Sequence, residues 1–328
     1  MSAPRAGEGK GDRVLLIATR ASELAVRQAR QVQEALAQRG VTAELKTYRT
    51  TGDKRLDEPL SAIGGKGLFT RELENDLAKG VVDCCVHSLK DLPTEAPRGL
   101  TIAAVLERED PRDVLIVNSI VGVTTLRDLP AGSRVGTSSL RRRAQLLAAR
   151  SDLDVVELRG NVPTRIKKVD DGHVHAAILA AAGLHRLGVP QHIASYLDAP
   201  AWLPAAGQGA IAVQIRDDDT HARSLIALLD DARTHADTNA ERAFLAALEG
   251  GCQVPIGALV VDSAGDRVLH GFIGDVRGKH TLRSSLPLDD RNPELTGVRL
   301  ANELRHQGAS DILESLRRAD KIPSPQPE

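Results

Sequence analysis

The sequence predicts an α/β protein of two similar lobes, followed by a small α+β domain. Three observations carry this. Short apolar runs alternate with amphipathic helical stretches in the first hundred or so residues, and the same alternation returns between 114 and 180. Two proline-marked breaks, residues 107–113 and 200–209, separate the halves, as in a chain that crosses twice between lobes and leaves a hinged cleft. From about residue 230 the alternation gives way to a helix, two short strands and two further helices.

In chain order, residues 14–18 (Val-Leu-Leu-Ile-Ala) read as a fully buried strand, and Ser22 as the N-cap of a helix running to about Arg39, closed by Gly40. Leu24, Val32, Ala35 and Leu36 give that helix an apolar face. Residues 43–49 alternate as a second strand. A polar loop then leads to Gly64-Gly65-Lys66-Gly67, and Phe69, Leu73 and Leu77 mark the next helix. Residues 81–86 form a strand that ends in His87-Ser88-Leu89-Lys90-Asp91-Leu92-Pro93. After the charged break, strands are expected at 114–117, 134–136, 155–158 and 176–180, with helices from Ser139 and about Pro163. Residues 211–216 read as a strand returning to the first lobe. A helix from about Asp237 to Leu248 precedes Glu249-Gly250-Gly251-Cys252-Gln253-Val254-Pro255, strands near 257–262 and 267–273, and helices near 295–306 and 309–318. The expected division is 1–110 with 208–229 as the first lobe, 111–207 as the second, and 230–328 as the C-terminal domain.

Composition narrows the function. The 328 residues carry a net charge of −1 and only 2% aromatics, which disfavours polyanion-seeking surfaces and base-stacking platforms. The cysteines, Cys84, Cys85 and Cys252, are neither a disulfide framework nor a zinc pattern, so a reduced, cytoplasmic setting is expected. The N-terminal stretch has no apolar signal region, and no apolar run is long enough to span a membrane.

The arginines fall at informative places. Arg20 follows a strand; Arg141, Arg142 and Arg143 follow a strand-to-helix turn; Arg159 follows another strand; Arg165 opens a helix; Arg186 lies near a helix end. Ligands of open α/β sheets sit beyond the carboxyl ends of strands, where helix N-termini already favour anions. Several arginines there make a site for a molecule with several carboxylates or phosphates. Singly, each reads as a solvated helix end, and one of Arg141–Arg143 is expected to face solvent because consecutive helical residues diverge. Asp91 is evenly a turn former before Leu-Pro or a carboxylate that stabilises positive charge and shuttles a proton. His87 reads as a core hydrogen-bonding residue. Gly64–Gly67 lacks the spacing of a P-loop and reads as a lid or linker. Cys252, between glycines and a proline, is either an inert turn cysteine or a reactive or derivatised thiol.

Together these segments closely resemble the porphobilinogen deaminase (hydroxymethylbilane synthase) family. The matching stretches are Ala-Thr-Arg-Ala-Ser (18–22), Gly-Gly-Lys-Gly-Leu-Phe (64–69), His-Ser-Leu-Lys-Asp-Leu-Pro (87–93), Gly-Thr-Ser-Ser-Leu-Arg-Arg (136–142), Leu-Arg-Gly-Asn-Val (158–162) with Thr-Arg (164–165), Leu-Pro-Ala-Ala-Gly-Gln-Gly-Ala (203–210) and Glu-Gly-Gly-Cys-Gln-Val-Pro-Ile-Gly (249–257). They occur in order from about residue 13 to 260. The resemblance implies two lobes like type II periplasmic binding proteins and a dipyrromethane cofactor joined by a thioether to Cys252. It also implies head-to-tail addition of four porphobilinogens with loss of ammonia, then hydrolytic release of hydroxymethylbilane. By position it makes Asp91 the catalytic carboxylate. Lys90, Arg141, Arg142 and Ser22 would hold the cofactor, and Arg20, Arg159, Arg165 and Arg186 the substrate. Lys66 and Phe69 fall in the family's mobile lid. Arg143 is an additional basic residue without an assigned role. The expected partner is the small-molecule substrate alone, for a monomer free of nucleic acid, membrane and metal.

Two other classes suit parts of the sequence. A non-catalytic anion receptor shares the hinged lobes, but the missing signal peptide and the third domain with Cys252 argue against it. Nucleic-acid binding through Arg141–Arg143 conflicts with the near-neutral charge and scarce aromatics.

Overall fold

In the computed structural model, residues 14–50, 70–248 and 254–318 are described. The first sheet is built from β1 (Leu15–Arg20), β2 (Ala43–Tyr48), β3 (Cys84–Ser88), β4 (Leu100–Val105) and β10 (Ile211–Arg216), in the order β2-β1-β3-β10-β4. The second comprises β5 (Asp113–Val117), β6 (Arg134–Gly136), β7 (Asp154–Val156), β8 (Ala176–Ala180) and β9 (Ser195–Leu197), in the order β7-β6-β8-β5-β9. The two sheets share one plan. Three strands run parallel, and the fourth position is taken by the strand that has just crossed from the other lobe and runs antiparallel, β10 in one and β5 in the other. The anticipated return of 211–216 to the first lobe is therefore seen, whereas β4, β9 and the antiparallel insertions were not anticipated.

Helices cover both faces of each sheet. In the first lobe α1 (Glu23–Ala37) buries Ala29, Val32 and Leu36 on Leu15, Ile17 and Val86, while α2 (Arg71–Ala78) buries Leu73 and Leu77 on Ala18, Val82 and Cys85. Cys84 and Cys85 thus point to opposite faces, as the two-residue period of a strand requires, and both are buried free thiols. In the second lobe α3 (Leu140–Ala149) packs Leu146 on Val135, Val155 and Ile178; α4 (Val162–Asp170) and α5 (Ala181–Leu187) cover Val114, Ile116 and Leu179. Short polar residues start these helices. Ser22, Ser139 and Asn161 accept from the backbone N–H of Ala25, Arg142 and Thr164. Beyond β10, α6 (Thr220–Ile226) returns to the first-lobe core.

The third unit has α7 (Ala232–Ala247), an antiparallel sheet of β11 (Ile256–Ser263), β12 (Asp266–Gly274) and β13 (Thr281–Pro287), then α8 (Pro293–Leu304) and α9 (Ser310–Arg318). Phe244, Leu269, Ile273, Leu300 and Leu304 form its core. Helix α7 begins at Ala232, earlier than the expected Asp237, because Asp231 caps it and accepts from Thr234 N. Its first turns carry no apolar stripe. The expected pair of strands is three, since β13 alternates exposed and half-buried residues and lacks a continuous apolar run.

Candidate active site

Between the lobes lies a cavity of about 90 Å³. Leu24, Gln28, Ser88 and Lys90 wall it from the first lobe; Arg142, Val162, Arg165, Gly183 and Arg186 face them from the second; Gln208, Gly209 and Ala210 of the crossing segment close it. The strand ends place these groups. β3 runs into a 3-10 turn, Leu89–Asp91, that presents Lys90 and Asp91; β6 stops at Gly136, so that α3 starts with its arginines at the cleft.

Asp113, the first residue of β5, organises the cationic wall. It has no exposed surface. Its Oδ2 accepts from Arg141 Nη1 at 2.6 Å and from Trp202 Nε1 at 2.8 Å; its Oδ1 accepts from Arg142 Nη2 at 2.7 Å and Gln208 Nε2 at 2.8 Å. Burial opposes ionisation of Asp113, but the two guanidiniums outweigh it and hold the carboxyl far below the usual carboxylate range. Two arginines against one carboxylate leave the cluster cationic.

The arginines consequently differ. Arg142 lines the cavity, anchored through Nη1 on Ile178 O. Arg141 stands behind it, 4% exposed, with Nη1 also donating to Leu203 O at 2.8 Å. At least one of Arg141–Arg143 was expected to face solvent, but none is exposed, Arg141 and Arg142 being buried and Arg143 half-buried. Arg143 donates to Val155 O at 2.7 Å and to Val276 O at 3.3 Å, joining the second lobe to the C-terminal unit. Arg165 donates Nε to Gly160 O at 2.8 Å and Arg186 donates Nη2 to Gly209 O at 2.7 Å. Burial pushes both down to about 10, so they stay charged at neutral pH. Arg165 interacts electrostatically with Asp91 across the cleft and with Arg142 and Arg159 beside it. Burial brings Lys90 down to about 8, against the attraction of Asp91. Ser22 is spent partly on its cap, and Arg20, closing β1, acts electrostatically on His87 and is not among the residues lining this cavity. Cys252, Lys66 and Phe69 lie outside the described residues.

Two buried guanidinium donors lack a partner among the described residues, Arg159 Nη1 and Arg186 Nε. Leaving such a group unpaired costs about 1–3 kcal/mol, so these atoms mark places for an anionic acceptor. A chain of pyrroles bearing acetate and propionate groups fits this wall, since each ring brings two carboxylates to a row of fixed guanidinium forks.

Sequence reasoning missed Asp113, Gln208 and two neighbours on α7. Glu241, with no exposed surface, takes a bidentate bond from Arg108 at 2.7 and 2.9 Å and also accepts from Gly207 N and Val260 N. Arg242 donates to Leu92 O at 3.2 Å and Pro93 O at 2.6 Å, clasping the turn that bears Lys90 and Asp91. A charged residue opening an apolar strand was the available signal for Asp113; the charged break in which it lies reads as a linker instead.

Residues 15–224 match the family model "Porphobilinogen deaminase, dipyromethane cofactor binding domain", and 236–306 match "Porphobilinogen deaminase, C-terminal domain". A porphobilinogen deaminase of Syntrophobacter fumaroxidans is 46% identical over 94% of this chain and 99% of its own. That of Moorella thermoacetica is 48% identical over 92% and 96%. Among solved structures, the methionine-binding protein MetQ aligns over 72% of this chain and 94% of its own with 13% identity and a TM-score of 0.42. With two family domains and near-full-length relatives approaching half identity, the chain belongs to the porphobilinogen deaminase family.

Proposed function

We propose that the chain condenses four porphobilinogen molecules head-to-tail, with loss of ammonia, and releases hydroxymethylbilane by hydrolysis, with Asp91 as its catalytic carboxylate and Cys252 as the attachment point of the primer. The observation that carries this is the opposition of the Lys90–Asp91 turn to Arg142, Arg165 and Arg186 across one inter-lobe cavity, in a chain of this family. The dipyrromethane, when bound, supplies the terminal pyrrole carbon to which the first substrate is joined.

The residues of the chain then have separable tasks. Arg142, Arg165 and Arg186, with Lys90, pair with ring carboxylates and fix the incoming pyrrole. Arg20, Arg141, Arg159 and Ser22 stand around this set as cofactor- and substrate-binding residues. When ammonia leaves, the substrate's methylene-pyrrole is electron-poor, and the Asp91 carboxylate stabilises that positive charge at close range. An Asp91 oxygen then takes the proton lost from the attacked ring carbon. The walls of the cleft shield the cation from water during each addition. The lobes comprise 1–110 with 208–229 and 111–207, and 230–328 forms the domain that presents Cys252. The enzyme works as a cytoplasmic monomer.

Intact mass of the purified protein, before and after porphobilinogen, tests this. A pyrrolic adduct on Cys252 that grows in single-ring steps is expected, and Cys252→Ala must lack it. Active enzyme with an unmodified Cys252 refutes the attachment. Asp91→Asn is expected to keep the adduct and the melting temperature but lose roughly 10²–10⁴-fold in kcat; near-normal turnover removes Asp91 from the mechanism.

A further inference from the structure

Gln208 lies in the second crossing segment, 1% exposed, with both ends of its amide engaged on different lobes. Oε1 accepts from Lys90 Nζ at 3.2 Å, on the first lobe. Nε2 donates to Asp113 Oδ1 and to Pro111 O, both at 2.8 Å, at the start of the second. Chemistry settles the orientation. A flipped amide would set NH₂ against an ammonium and a carbonyl oxygen against a carboxylate and a second carbonyl. Its own carbonyl accepts from Arg108 Nε at 2.8 Å, and Arg108 is in turn held by Glu241. The side chain therefore starts from a pinned backbone.

We propose that Gln208 is a positioning residue for the reaction: its amide relays the negative charge of Asp113 to Lys90, holding the Lys90 ammonium in the cavity wall and keeping it charged. This rests on the reading of the Lys90–Asp91 turn as part of the active site. The need for such a relay follows from the surroundings. Lys90 is faced by Asp91 on its own turn, by Arg141 and Arg142 on α3, and by Asp113 at the head of β5, with Arg165 and Arg186 on the same cavity. Among the described residues cations outnumber anions there, and burial adds to the cost of a further charge. An acceptor on the ammonium works the other way. The Asp113 carboxylate draws on the amide N–H and so enriches the amide oxygen that Lys90 meets, as linked hydrogen bonds polarise one another. With Lys90 titrating at about 8, a modest loss of this support moves it across the working pH range.

The test uses the holoenzyme with Gln208→Met, which keeps length and removes both polar ends, and Gln208→Asn, which keeps the amide but is too short to reach both partners. The Lys90 titration is read by competitive acetylation against pH, followed by mass spectrometry of the Lys90 peptide, a measurement that does not depend on turnover. The Lys90 midpoint is expected to fall by about one pH unit in Gln208→Met and by less in Gln208→Asn. Correspondingly, KM for porphobilinogen should rise about tenfold at pH 8.5 and return to within about twofold of the parent at pH 6.5, with kcat changed less. An unmoved midpoint in whichever variant folds, or a KM defect equal at both pH values, overturns the proposal and leaves Gln208 a packing residue. Because the midpoint is read chemically, it stands or falls separately from Asp91 and Cys252.

Discussion

A carboxylate with no exposed surface persists at position 113 because four donors converge on it: two guanidiniums, an indole N–H and an amide. Removing one partner of such a buried pair leaves an uncompensated charge and costs about 3–5 kcal/mol, which makes Arg141 a support for Arg142. His87 shows the opposite case, a buried group kept neutral. It is 6% exposed, its Nε2 has no hydrogen-bond partner among the described residues, and burial takes its pKa down to about 4, reinforced by Arg20. The unfolded chain protonates this ring below about 6.5, whereas the folded ring stays neutral down to about 4. Between those values the unfolded state binds more protons, so stability falls as pH falls from about 6.5 to 4, by on the order of 3 kcal/mol. His87→Gln should flatten this slope, read as the difference in melting temperature between pH 7 and 4.5 for variant and parent. Equal acid slopes would assign the loss to other groups. His87 is buried as the sequence led one to expect, but its Nε2 does not make the core hydrogen bond expected of it among the described residues; its low pKa was not legible, because desolvation depends on what covers a strand end.

At the scale of elements, α7 determines much of the site geometry. Two consecutive residues, Glu241 and Arg242, hold the first crossing segment through Arg108 and the Lys90–Asp91 turn through the carbonyls of Leu92 and Pro93. The helix is positioned in turn by α8, which approaches at Gly297 so closely that a Cβ there would lie 2.2 Å from Ala240 O and 2.7 Å from Phe244 N. Gly297→Ala must push the helices apart. A stability loss of about 1–3 kcal/mol is expected, together with a fall in kcat/KM, because a displaced α7 drags both the hinge and the Lys90–Asp91 turn. Denaturant unfolding and steady-state kinetics check the two parts; an unchanged midpoint would show that α8 yields freely. Little of this was readable beforehand. The start of α7, Ala-Arg-Thr-His-Ala, has no single apolar face, since the helix is flanked by the first lobe as well as by its own sheet. In α1, which packs mainly by one face, the start at its Ser22 cap was visible and the end lay within two residues of the expected one.

For the whole molecule, the arrangement is of two lobes closed on each other with a third unit gripping both. The C-terminal unit holds the first lobe by Arg242 and the second by Arg143 to Val276 and Arg283 to Gln145. The cavity between the lobes, about 90 Å³, is lined from both of them and from the second crossing segment. Closure is set where α1 meets α5: a Cβ on Gly183 would stand 3.7 Å from Leu24 Cδ2 and 3.6 Å from Val162 Cγ2. Alanine fits that space and a larger side chain wedges it. Gly183→Ala is expected to stay within about twofold of the parent in kcat/KM and Gly183→Val to lose more than about tenfold, since the larger side chain wedges Leu24 of the first lobe as well as Val162 of the second. Equal kinetics for both variants would show that the lobes need not close at Leu24.

The linear order of residues by itself determined the alternation of strands and helices, the two crossings, the cap at Ser22, the helix start near Ser139, the placement of arginines at strand ends, and the motif set that carries the family. These are local properties, written in periods of 2 and 3.6 residues and in the chemistry of turns. Only the tertiary structure decided which arginine faces the cavity and which stands behind it, that Asp113 is their common anion, and that Gln208 joins Asp113 to Lys90. Each of those is a pairing between residues brought together by the two crossings, Lys90 and Gln208 being 118 positions apart. Sequence spacing does not encode such contacts, because the folded topology alone brings distant side chains within the 3 Å over which hydrogen bonds and desolvation act.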